Sequence, residues 1–434
     1  MSGLASNFQP DSHMPLLSLP ISTERLWQRV EELAKFTDPQ RPWTRRAFGD
    51  LHAQSRQWLR SQMEAAGLQV RLDAGGNLIG RRPGKRDDLP PLMTGSHCDT
   101  VMDGGRFDGI IGVLAGIEIA HAMHDAGVVL EHPFEVVDFL SEEPSDYGIS
   151  CVGSRAMVGM LDASMLAAAR LDGETLAQGI DRCGGDAARI GEACRGQGGI
   201  AAFVELHIEQ GPVLEARELP IGVVSNIVGI RRTAITISGR PDHAGTTPMD
   251  LRRDALVGAS RLIDGAYRLA SELNGQPHYV VATVGNLHNF PNASNAVPGR
   301  VELTLEARSD AHHVLTHFVE TLLERCGESV AQTGATIATR ELNLSAPTQC
   351  HATAMQAVAD AANALSLDNI VLPSGAGHDA AYMAKLGPSG MVFIPCLNGR
   401  SHCPEEWCSP EQLLDGTRVL AQSLVNLDSV LLQP

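Results

Sequence analysis

The sequence predicts an α/β protein in which an α/β/α domain with a mixed sheet is interrupted by an inserted α+β domain. Short apolar runs alternate with helical patterns over residues 1–221 and 346–434, as in repeated strand–helix–strand units. Over residues 222–345 the order changes to strand, helix, strand, strand, helix, strand. We therefore predict a discontinuous domain of residues 1–221 and 346–434, with a βαββαβ domain of residues 222–345 inserted into it.

Two helices and two strands are predicted before the centre of the sheet. Apolar residues recur on one helical face over Thr23–Phe36, and they recur again over Thr44–Ala66 until Gly67. The segments Gln69–Leu72 and Asn77–Arg81 have strand length and flank a glycine-rich turn.

Four apolar runs form the predicted centre of the sheet, and each ends in a polar cluster. A helix, Gly109–Ala126, separates the first run from the second. Ligands collect at the carboxyl ends of strands in open α/β sheets, so the residues after each run are candidates for a site. The four runs are Leu92–Gly95, Phe134–Leu140, Ala201–Leu206 and Met391–Pro395.

The inserted domain is predicted from alternating and helical patterns of apolar residues. Aromatic residues make up only 4% of the chain, so its cores must consist mainly of aliphatic side chains. The predicted strands are Arg231–Ser238, Tyr279–Leu287, Arg300–Ala307 and Ala335–Asn343, and the predicted helices are Leu251–Leu273 and Ala311–Cys326.

Composition narrows the classes of partner. The 434 residues carry a formal net charge of −17, which disfavours nucleic acid because a phosphate backbone needs a basic surface. No run of 18 apolar residues occurs, so we expect no transmembrane helix. Nine cysteines without zinc-finger spacing, and no evident secretion signal in the first twenty residues, predict a cytoplasmic protein with reduced thiols.

The first predicted central strand is followed by His97 and, eleven residues later, by Asp108 at a glycine-rich helix entry. These two residues could bind one metal ion, or Asp108 could bridge two. Asp99 could accept a hydrogen bond from the ring of His97 and fix its tautomer. Alternatively, Asp108 caps the helix and His97 is a hydrogen-bonded loop residue.

Glu142 and Glu143 follow the second predicted central strand. Two adjacent carboxylates repel each other unless a cation or a proton stabilises them. One could bind a metal ion while the other takes a proton from an activated water molecule. The alternative is a solvated acidic loop.

The third and fourth predicted strands lead to His207 and His402. The chain has 16 histidines, so neither residue is informative alone. The informative feature is that four predicted strands each end in His or Glu. Imidazoles with carboxylates suit zinc, manganese, cobalt or nickel. Such a set exceeds what one tetrahedral zinc ion needs and fits a two-metal site with a bridging carboxylate. The five candidates are His97, Asp108, Glu143, His207 and His402.

Other catalytic motifs do not occur in the sequence. It contains no G-x-S-x-G, no H-E-x-x-H, no G-x-x-x-x-G-K and no G-x-G-x-x-G after a strand. Their absence disfavours a nucleophilic serine, a phosphate-binding loop and a dinucleotide-binding fold.

Three donor side chains stand out in the inserted domain. His243 lies in a glycine-rich segment between a strand and a helix, and Asn295 and Arg308 flank the third strand. These donors could bind a carbonyl oxygen or a carboxylate. Turn chemistry for Asn295 and a surface ion pair for Arg308 are the alternatives.

Taken together, these motifs resemble the hydantoinase/carbamoylase family of metal-dependent amidases, a branch of the dinuclear-metal aminopeptidase superfamily. The family includes N-carbamoyl-L-amino acid hydrolases, β-ureidopropionases, and allantoate and ureidoglycolate amidohydrolases. The matching segments occur in order and are Ser96–Asp108, Glu142–Arg155, His207–Leu214, His243–Asp254, Asn295–Arg308, Gly375–Asp379 and Ser401–Glu405.

The resemblance implies a role for each candidate around the metal site. Two divalent metal ions per subunit are expected, zinc or manganese, or else cobalt or nickel. Asp108 would bridge them, Glu142 would be the general base and Asp99 would orient His97. The implied metal ligands are His97, Asp108, Glu143, His207 and His402.

The resemblance also implies substrate contacts. His243 would stabilise the oxyanion, and Asn295 and Arg308 would hold a substrate carboxylate. Family members are commonly homodimers joined through the inserted domain, which closes as a lid over the substrate, so that His243 could serve a neighbouring subunit's site. Further implied substrate contacts are Gln210, Gly377 and His378.

One segment departs from the family pattern. After the glutamate pair many relatives continue with glycine and then arginine-phenylalanine, whereas this chain continues P-S-D-Y-G-I-S-C over residues 144–151. The Glu-Glu-Pro start and the Gly-Ile-Ser-Cys end are similar to ureidoglycolate amidohydrolases, but Asp146 stands at a position that is cationic there. If that cation contacts substrate, the preferred substrate of this chain should differ.

We therefore expect a metal-dependent amidohydrolase that cleaves the C–N bond of a small anionic ureido or N-carbamoyl acid, such as an N-carbamoyl-L-amino acid, ureidoglycolate or allantoate. The alternative in the same superfamily is a dipeptidase or aminoacylase, which His243, Asn295 and Arg308 disfavour. A third hypothesis is a non-catalytic metal-binding or ureido-acid-binding protein. Glu142 argues against it, because binding alone needs no general base.

Overall fold

The computed structural model describes residues 18–433, which fold into two compact units. Unit 1 comprises the described residues up to Ser225, then Cys350–Leu372 and those from His378 onward. Unit 2 comprises Asn226–Gln349 and Pro373–Gly377. The sequence predicts an inserted domain of residues 222–345, and the main segment of unit 2 begins and ends four residues later.

Residues 18–433 contain fifteen strands, most of which belong to two sheets. The strands are β1 (Gln69–Leu72), β2 (Leu78–Arg82), β3 (Leu92–His97), β4 (Phe134–Phe139), β5 (Ala202–Ile208), β6 (Ile221–Ile227), β7 (Gly229–Ser238), β8 (Asp242–His243), β9 (Val280–Phe290), β10 (Ala296–Val297), β11 (Arg300–Ser309), β12 (Thr336–Ser345), β13 (Thr348–Gln349), β14 (Asn369–Ser374) and β15 (Ser389–Ile394).

The same residues contain twelve α-helices and three short 3-10 helices. None of the helices within residues 18–433 combines the length and apolar character needed to cross a bilayer. The α-helices are α1 (Thr23–Ala34), α2 (Asp50–Ala65), α3 (Ile110–Asp125), α4 (Val152–Met157), α5 (Ala163–Leu166), α6 (Leu176–Arg182), α7 (Val213–Ala216), α8 (Ala255–Leu273), α9 (His312–Ala331), α10 (Ala352–Ala364), α11 (Ala380–Met383) and α12 (Pro410–Val430).

The main sheet of unit 1 is mixed. Seven of its strands follow the order β1-β2-β4-β3-β5-β15-β6. The four central strands, β4, β3, β5 and β15, are parallel to one another. The strands beside them, β2 and β6, run antiparallel to their neighbours. The carboxyl ends of the four central strands therefore lie at one edge of the sheet.

Helices cover both faces of this sheet. A Cβ atom at Gly390 of β15 would lie 2.9 Å from Ala354 of α10, whereas the hydroxyl of the adjacent Ser389 donates to the main-chain oxygen of Ala380 in α11. Adjacent strand residues point to opposite faces, so α10 and α11 lie on opposite sides. On the α10 side, α1, α3, α10 and α12 share one aliphatic core with the central strands.

Register brings the candidate residues to the same level at this edge. His97, at the end of β3, pairs with Phe139 at the end of β4, and His207 of β5 pairs with Phe393 of β15. The glutamate pair follows β4 by three residues, and His402 follows β15 by eight. The four predicted strand ends therefore converge.

Unit 2 is a four-stranded antiparallel sheet of order β12-β7-β11-β9 with two helices on one face. Residues of β11 alternate between buried and partly buried, because only one face packs against α8 and α9. Helix α8 begins four residues later than the sequence predicts, since the carboxylate of Asp254 caps it through the N–H groups of Leu256 and Val257.

The predicted fold class is confirmed, and the differences have local causes. Helix α2 begins six residues later than predicted. The side chain of Arg45 is buried ahead of it and donates to the main-chain oxygens of Leu33, Phe36 and Cys98, which holds this segment outside the helix. Helix α9 continues past its predicted end at Cys326 to Ala331. The elements β6, α10 and α12 were not predicted.

Gly95 of β3 offers a test of the strand register. Its φ is 147°, and a Cβ atom there would lie 2.0 Å from the main-chain oxygen of Val137 in β4. We predict that Gly95→Ala lowers the free energy of unfolding of unit 1 by about 3 kcal/mol or more, because the clash is with backbone that cannot move aside. All four tryptophans belong to unit 1, so urea unfolding followed by tryptophan fluorescence reports on it.

Gly191 provides the control in the same unit. A Cβ atom there would meet nothing within 4 Å. Gly191→Ala should change the free energy of unfolding by no more than about 0.5 kcal/mol. Equal stability of the two variants would contradict the register of β3 against β4.

Candidate metal centre

Two buried histidines are held so that the same ring nitrogen faces the site. The Nδ1 atom of His97 lies 3.0 Å from the main-chain oxygen of Asp99, and Nδ1 of His207 lies 2.8 Å from that of Ile208. A carbonyl oxygen only accepts, so Nδ1 carries a proton in both rings. In the neutral ring, Nε2 then carries the lone pair, which is the arrangement expected of a metal-ligating histidine. In His207 this nitrogen accepts the main-chain N–H of Gly109 at 3.0 Å.

Asp108 is shared by two groups of potential ligands. Its Oδ1 lies 3.7 Å from Nε2 of His97 and 3.3 Å from Nε2 of His207. Its Oδ2 lies 3.3 Å from Nε2 of His402, which is in turn 3.1 Å from Oε1 of Glu143. Within each group the ligand atoms lie within 4.8 Å of one another. The structure therefore brings together all five residues that the sequence indicates.

The charges of this cluster fit divalent cations. The first group offers two imidazoles and a carboxylate, and the second offers an imidazole and two carboxylates, a donor set that suits zinc or manganese. Hydrogen bonds to Asp108 and Glu143 raise the pKa of His402 to about 11. Burial opposes a charge on His97, but Glu142, Asp99 and Asp108 raise its pKa well above the ordinary value. The cluster thus stabilises positive charge strongly.

Glu142 lies beside the first group of ligands. Its Oε2 is 3.7 Å from Nε2 of His97, and its Oε1 accepts a hydrogen bond from Sγ of Cys151 at 3.4 Å. Only 12% of the side chain is exposed, and burial raises the pKa of Glu142 well above that of a free carboxyl. A carboxyl with a raised pKa and no second cation beside it is suited to accepting a proton.

Asp99 has a different contact from the one expected. The main-chain oxygen of Asp99 accepts the hydrogen bond from His97, while its carboxylate is 3.6 Å from the ring. The two carboxylate oxygens instead accept the N–H groups of Glu142 and Glu143 at 3.3 and 3.2 Å. Burial raises the pKa of Asp99 to about 6. This carboxylate therefore fixes the glutamate loop against the end of β3.

Gln210 and His378 also lie at the cluster. The amide nitrogen of Gln210 donates to Oδ2 of Asp108 at 2.5 Å, and its buried Oε1 has no hydrogen-bond partner among the described residues. The ring of His378 is buried edge-to-face against His207, with centroids 4.5 Å apart. The third predicted contact in this set, Gly377, is exposed.

His243 and Asn295 are exposed residues of unit 2. The Nδ1 atom of His243 accepts the N–H groups of Gly245 and Thr246 at 3.0 and 3.2 Å, so the proton of the neutral ring is on Nε2. His243 thus presents an N–H donor. The main-chain oxygen of Asn295 accepts the N–H of Ala244 at 3.0 Å, which ties the two segments together.

Arg308 forms the ion pair that the sequence left open as an alternative. Its guanidinium contacts Oε1 of Glu306 through Nε at 2.8 Å and donates to the main-chain oxygen of Gly375 at 2.6 Å. Asp146, which stands at a position that is cationic in similar sequences, likewise has a partner. Its carboxylate lies 2.7 Å from the guanidinium of Arg46.

Two further buried carboxylates were missed by the sequence analysis. Glu205 precedes His207 by two residues, so both point to the same face of β5, and it accepts the hydroxyl of Ser96 at 2.6 Å. Asp379 accepts the hydroxyl of Ser154. The spacing of Glu205 and His207 in the strand is a signal that could have found the first; no local signal indicates Asp379.

The chain is similar to known proteins over most of its length. Residues 93–426 match the sequence model of peptidase family M20/M25/M40. An N-carbamoyl-L-amino-acid amidohydrolase of Paenarthrobacter aurescens is 39% identical over 406 residues, which cover 93% of this chain and 98% of that protein. A ureidoglycolate hydrolase of Arabidopsis thaliana is 33% identical over 94% of this chain and 87% of its own length.

A solved structure extends the comparison to the fold. An amidase of the hydantoinase/carbamoylase family from Burkholderia multivorans superposes with a TM-score of 0.87 at 36% identity. The superposition covers 94% of this chain and 98% of that one. The similarity therefore includes both units.

The raised pKa values predict how cation binding depends on pH. The pKa of His402 is raised to about 11, so this ring holds a proton that a cation must displace, and the carboxylates around His97 raise its pKa as well. We predict that the affinity for Mn²⁺ rises between pH 6 and 8, by up to about tenfold per pH unit for each proton displaced. Calorimetric titration of the chelator-stripped protein, in two buffers of different ionisation enthalpy, counts the protons released.

Two variants complete this test. Mn²⁺ binding to His402→Ala should release fewer protons, and its affinity should depend less steeply on pH. His312→Gln changes an exposed histidine of α9 and should leave both quantities unaltered. If the affinity for Mn²⁺ did not change with pH, Mn²⁺ binding would not displace protons from these histidines.

Proposed function

Because the chain belongs to peptidase family M20/M25/M40 and to the hydantoinase/carbamoylase amidases, we propose that it is a metal-dependent amidohydrolase that cleaves the C–N bond of a small anionic N-carbamoyl or ureido acid. The resemblance predicted from the sequence is thereby confirmed. The relatives are named for such substrates, an N-carbamoyl-L-amino acid in one case and ureidoglycolate in another.

The observation that carries the proposal is the position of Asp108 between two groups of ligands, with Glu142 beside them. One group would hold a cation through His97, Asp108 and His207. The other would hold a second cation through Asp108, Glu143 and His402. Zinc and manganese both suit these donors, with cobalt and nickel as further candidates. When bound, such cations lower the pKa of water towards neutrality and polarise the carbonyl group to be attacked.

Glu142 would move the proton. Its buried carboxylate accepts a proton from the attacking water and later donates it to the leaving nitrogen. The hydrogen bond from Cys151 leaves Oε2 of Glu142, on the side of His97, as the oxygen that accepts. For an N-carbamoyl amino acid, one water molecule is consumed and the products are the amino acid, carbon dioxide and ammonia.

The remaining residues would bind the substrate. His243 donates from Nε2 to the oxyanion that develops on the carbonyl oxygen. Arg308 and Asn295 hold the substrate carboxylate, with Glu306 keeping the guanidinium oriented. Oε1 of Gln210, which has no hydrogen-bond partner among the described residues, would accept an N–H of the carbamoyl group. His378 and Gly377 are further proposed substrate contacts.

Three predictions from the sequence belong to this proposal. The protein forms a homodimer through the inserted domain, which also acts as the lid. It is a cytoplasmic protein. If the cation that ureidoglycolate amidohydrolases carry at the position of Asp146 contacts substrate, the preferred substrate of this chain differs from theirs.

The general base is tested by separating turnover from metal binding. We predict that Glu142→Gln lowers kcat by about 100- to 10,000-fold, because the amide cannot accept the proton, while the metal content stays at the wild-type value. Glu143→Gln should lose both metal and turnover. Wild-type turnover in Glu142→Gln would show that another group is the base.

Turnover is measured after loading with manganese or zinc, on N-carbamoyl amino acids, ureidoglycolate, allantoate, β-ureidopropionate, N-acetyl amino acids and dipeptides. The proposal expects carbamoyl or ureido acids to be hydrolysed fastest. Faster hydrolysis of dipeptides or N-acetyl amino acids would establish the alternative, a dipeptidase or aminoacylase. Tight binding without product would establish a binding protein.

Arg308 is tested with paired substrates. We predict that Arg308→Gln lowers kcat/KM for an N-carbamoyl amino acid roughly 30-fold or more, mainly by raising KM. This factor corresponds to about 2 kcal/mol of binding free energy. The same compound with its carboxylate replaced by a carboxamide should be affected little. Arg232→Gln is the matched control, because Arg232 contacts the other oxygen of Glu306. Equal losses on acid and amide would assign Arg308 a purely structural contribution.

A further inference from the structure

Glu406 is a buried carboxylate that no sequence motif singled out. It is 1% exposed, and its Oε1 accepts the main-chain N–H groups of Phe107 and Asp108 at 2.8 and 3.0 Å. Its Oε2 accepts the hydroxyl of Ser401 at 2.8 Å. The same hydroxyl lies 2.5 Å from Oδ2 of Asp108.

These contacts join two loops that are distant in the sequence. Phe107 and Glu406 are separated by 299 residues. The first loop ends in Asp108, and the second carries His402, so the two carry ligands of the same group. Each loop otherwise follows a different strand, β3 or β15. Glu406 and Ser401 therefore link the two loops directly, in addition to the contact between His402 and Asp108.

The surrounding backbone is shaped to admit this carboxylate. A Cβ atom at Gly105 would lie 1.9 Å from Oε1 of Glu406, so any side chain at that position would displace it. The neighbouring Glu405 contrasts with it. Glu405 is 61% exposed and pairs only with Arg400 on its own loop. Two adjacent glutamates thus have opposite surroundings.

We propose that Glu406 is the positioning residue of the metal centre: by accepting hydrogen bonds from the Asp108 loop and from Ser401, it sets the bridging carboxylate against His402. This inference rests on the proposed metal centre. Oε1 of Glu406 accepts two main-chain N–H groups, and Oε2 shares the one hydroxyl hydrogen of Ser401 with Oδ2 of Asp108. Glutamine could keep an acceptor for the N–H groups only by turning its NH2 towards Ser401, which reverses the direction of that contact and changes the hydrogen bond that Ser401 makes to Asp108.

The test uses the full chain, stripped with chelator and titrated with Mn²⁺ alone. Glu406→Gln should bind Mn²⁺ about 10- to 100-fold more weakly than wild type, as is usual when a residue that orients a metal ligand is changed. Two Mn²⁺ ions bridged by a carboxylate lie about 3.5–4 Å apart and are magnetically coupled. The electron paramagnetic resonance spectrum of wild type should show this coupling, and that of Glu406→Gln should show uncoupled Mn²⁺. Glu405→Gln should match wild type in both measurements.

The outcomes are distinguishable. A folded Glu406→Gln protein with wild-type affinity and coupling overturns the inference. If Glu406→Gln does not fold, Ser401→Ala decides, because it keeps Glu406 and its two main-chain bonds and removes only the hydroxyl beside Asp108. Ser401→Ala should weaken coupling, and a wild-type spectrum would overturn the inference. A wild-type protein that binds no pair of Mn²⁺ ions would instead refute the metal centre itself.

Discussion

The structure depends on one constraint, which is the need to hold the carboxylates Asp99, Asp108, Glu142 and Glu143 together at one edge of a sheet. Their mutual repulsion must be offset by positive charge, since each is buried or nearly so. In the protein alone that charge comes from protons on histidines, and the pKa values of His97 and His402 are raised accordingly. Divalent cations would supply positive charge more effectively, so the carboxylates whose repulsion the fold must offset also support the proposed metal site.

The parallel centre of the sheet is what makes this concentration of charge geometrically possible. Four neighbouring strands end at the same edge. His97 and His207 lie at the ends of β3 and β5, and Glu142, Glu143 and His402 lie in the loops after β4 and β15. Main-chain groups then fix the ligands: carbonyl oxygens set the tautomers of His97 and His207, and N–H groups anchor Asp99. Main-chain groups thus hold His97, His207 and Asp99, whereas the side chains of Gln210 and Ser401 hold Asp108.

The division of labour between adjacent residues follows from their surroundings. Glu143 faces His402, whereas Glu142 lies near His97 with one oxygen occupied by Cys151. Identical side chains one position apart can thus serve as ligand and base. The same separation of functions applies to Asp99, whose main-chain oxygen orients a ligand while its carboxylate holds a loop.

The sequence alone determined the alternation of strands and helices, the βαββαβ order of the insertion, and the five ligand candidates, because strand periodicity and the polar residues at strand ends are local patterns. Only the tertiary structure decided that Glu406 is buried while Glu405 is exposed, that Arg308 is paired with Glu306, and that Asp99 contacts the glutamate loop through its carboxylate. Asp99, Glu405 and Glu406 lie in loops, where side-chain direction has no fixed period, and the partners of Asp99 and Glu406 are tens or hundreds of residues away. Such contacts are set by how the strands are ordered in the sheet, which no local pattern encodes.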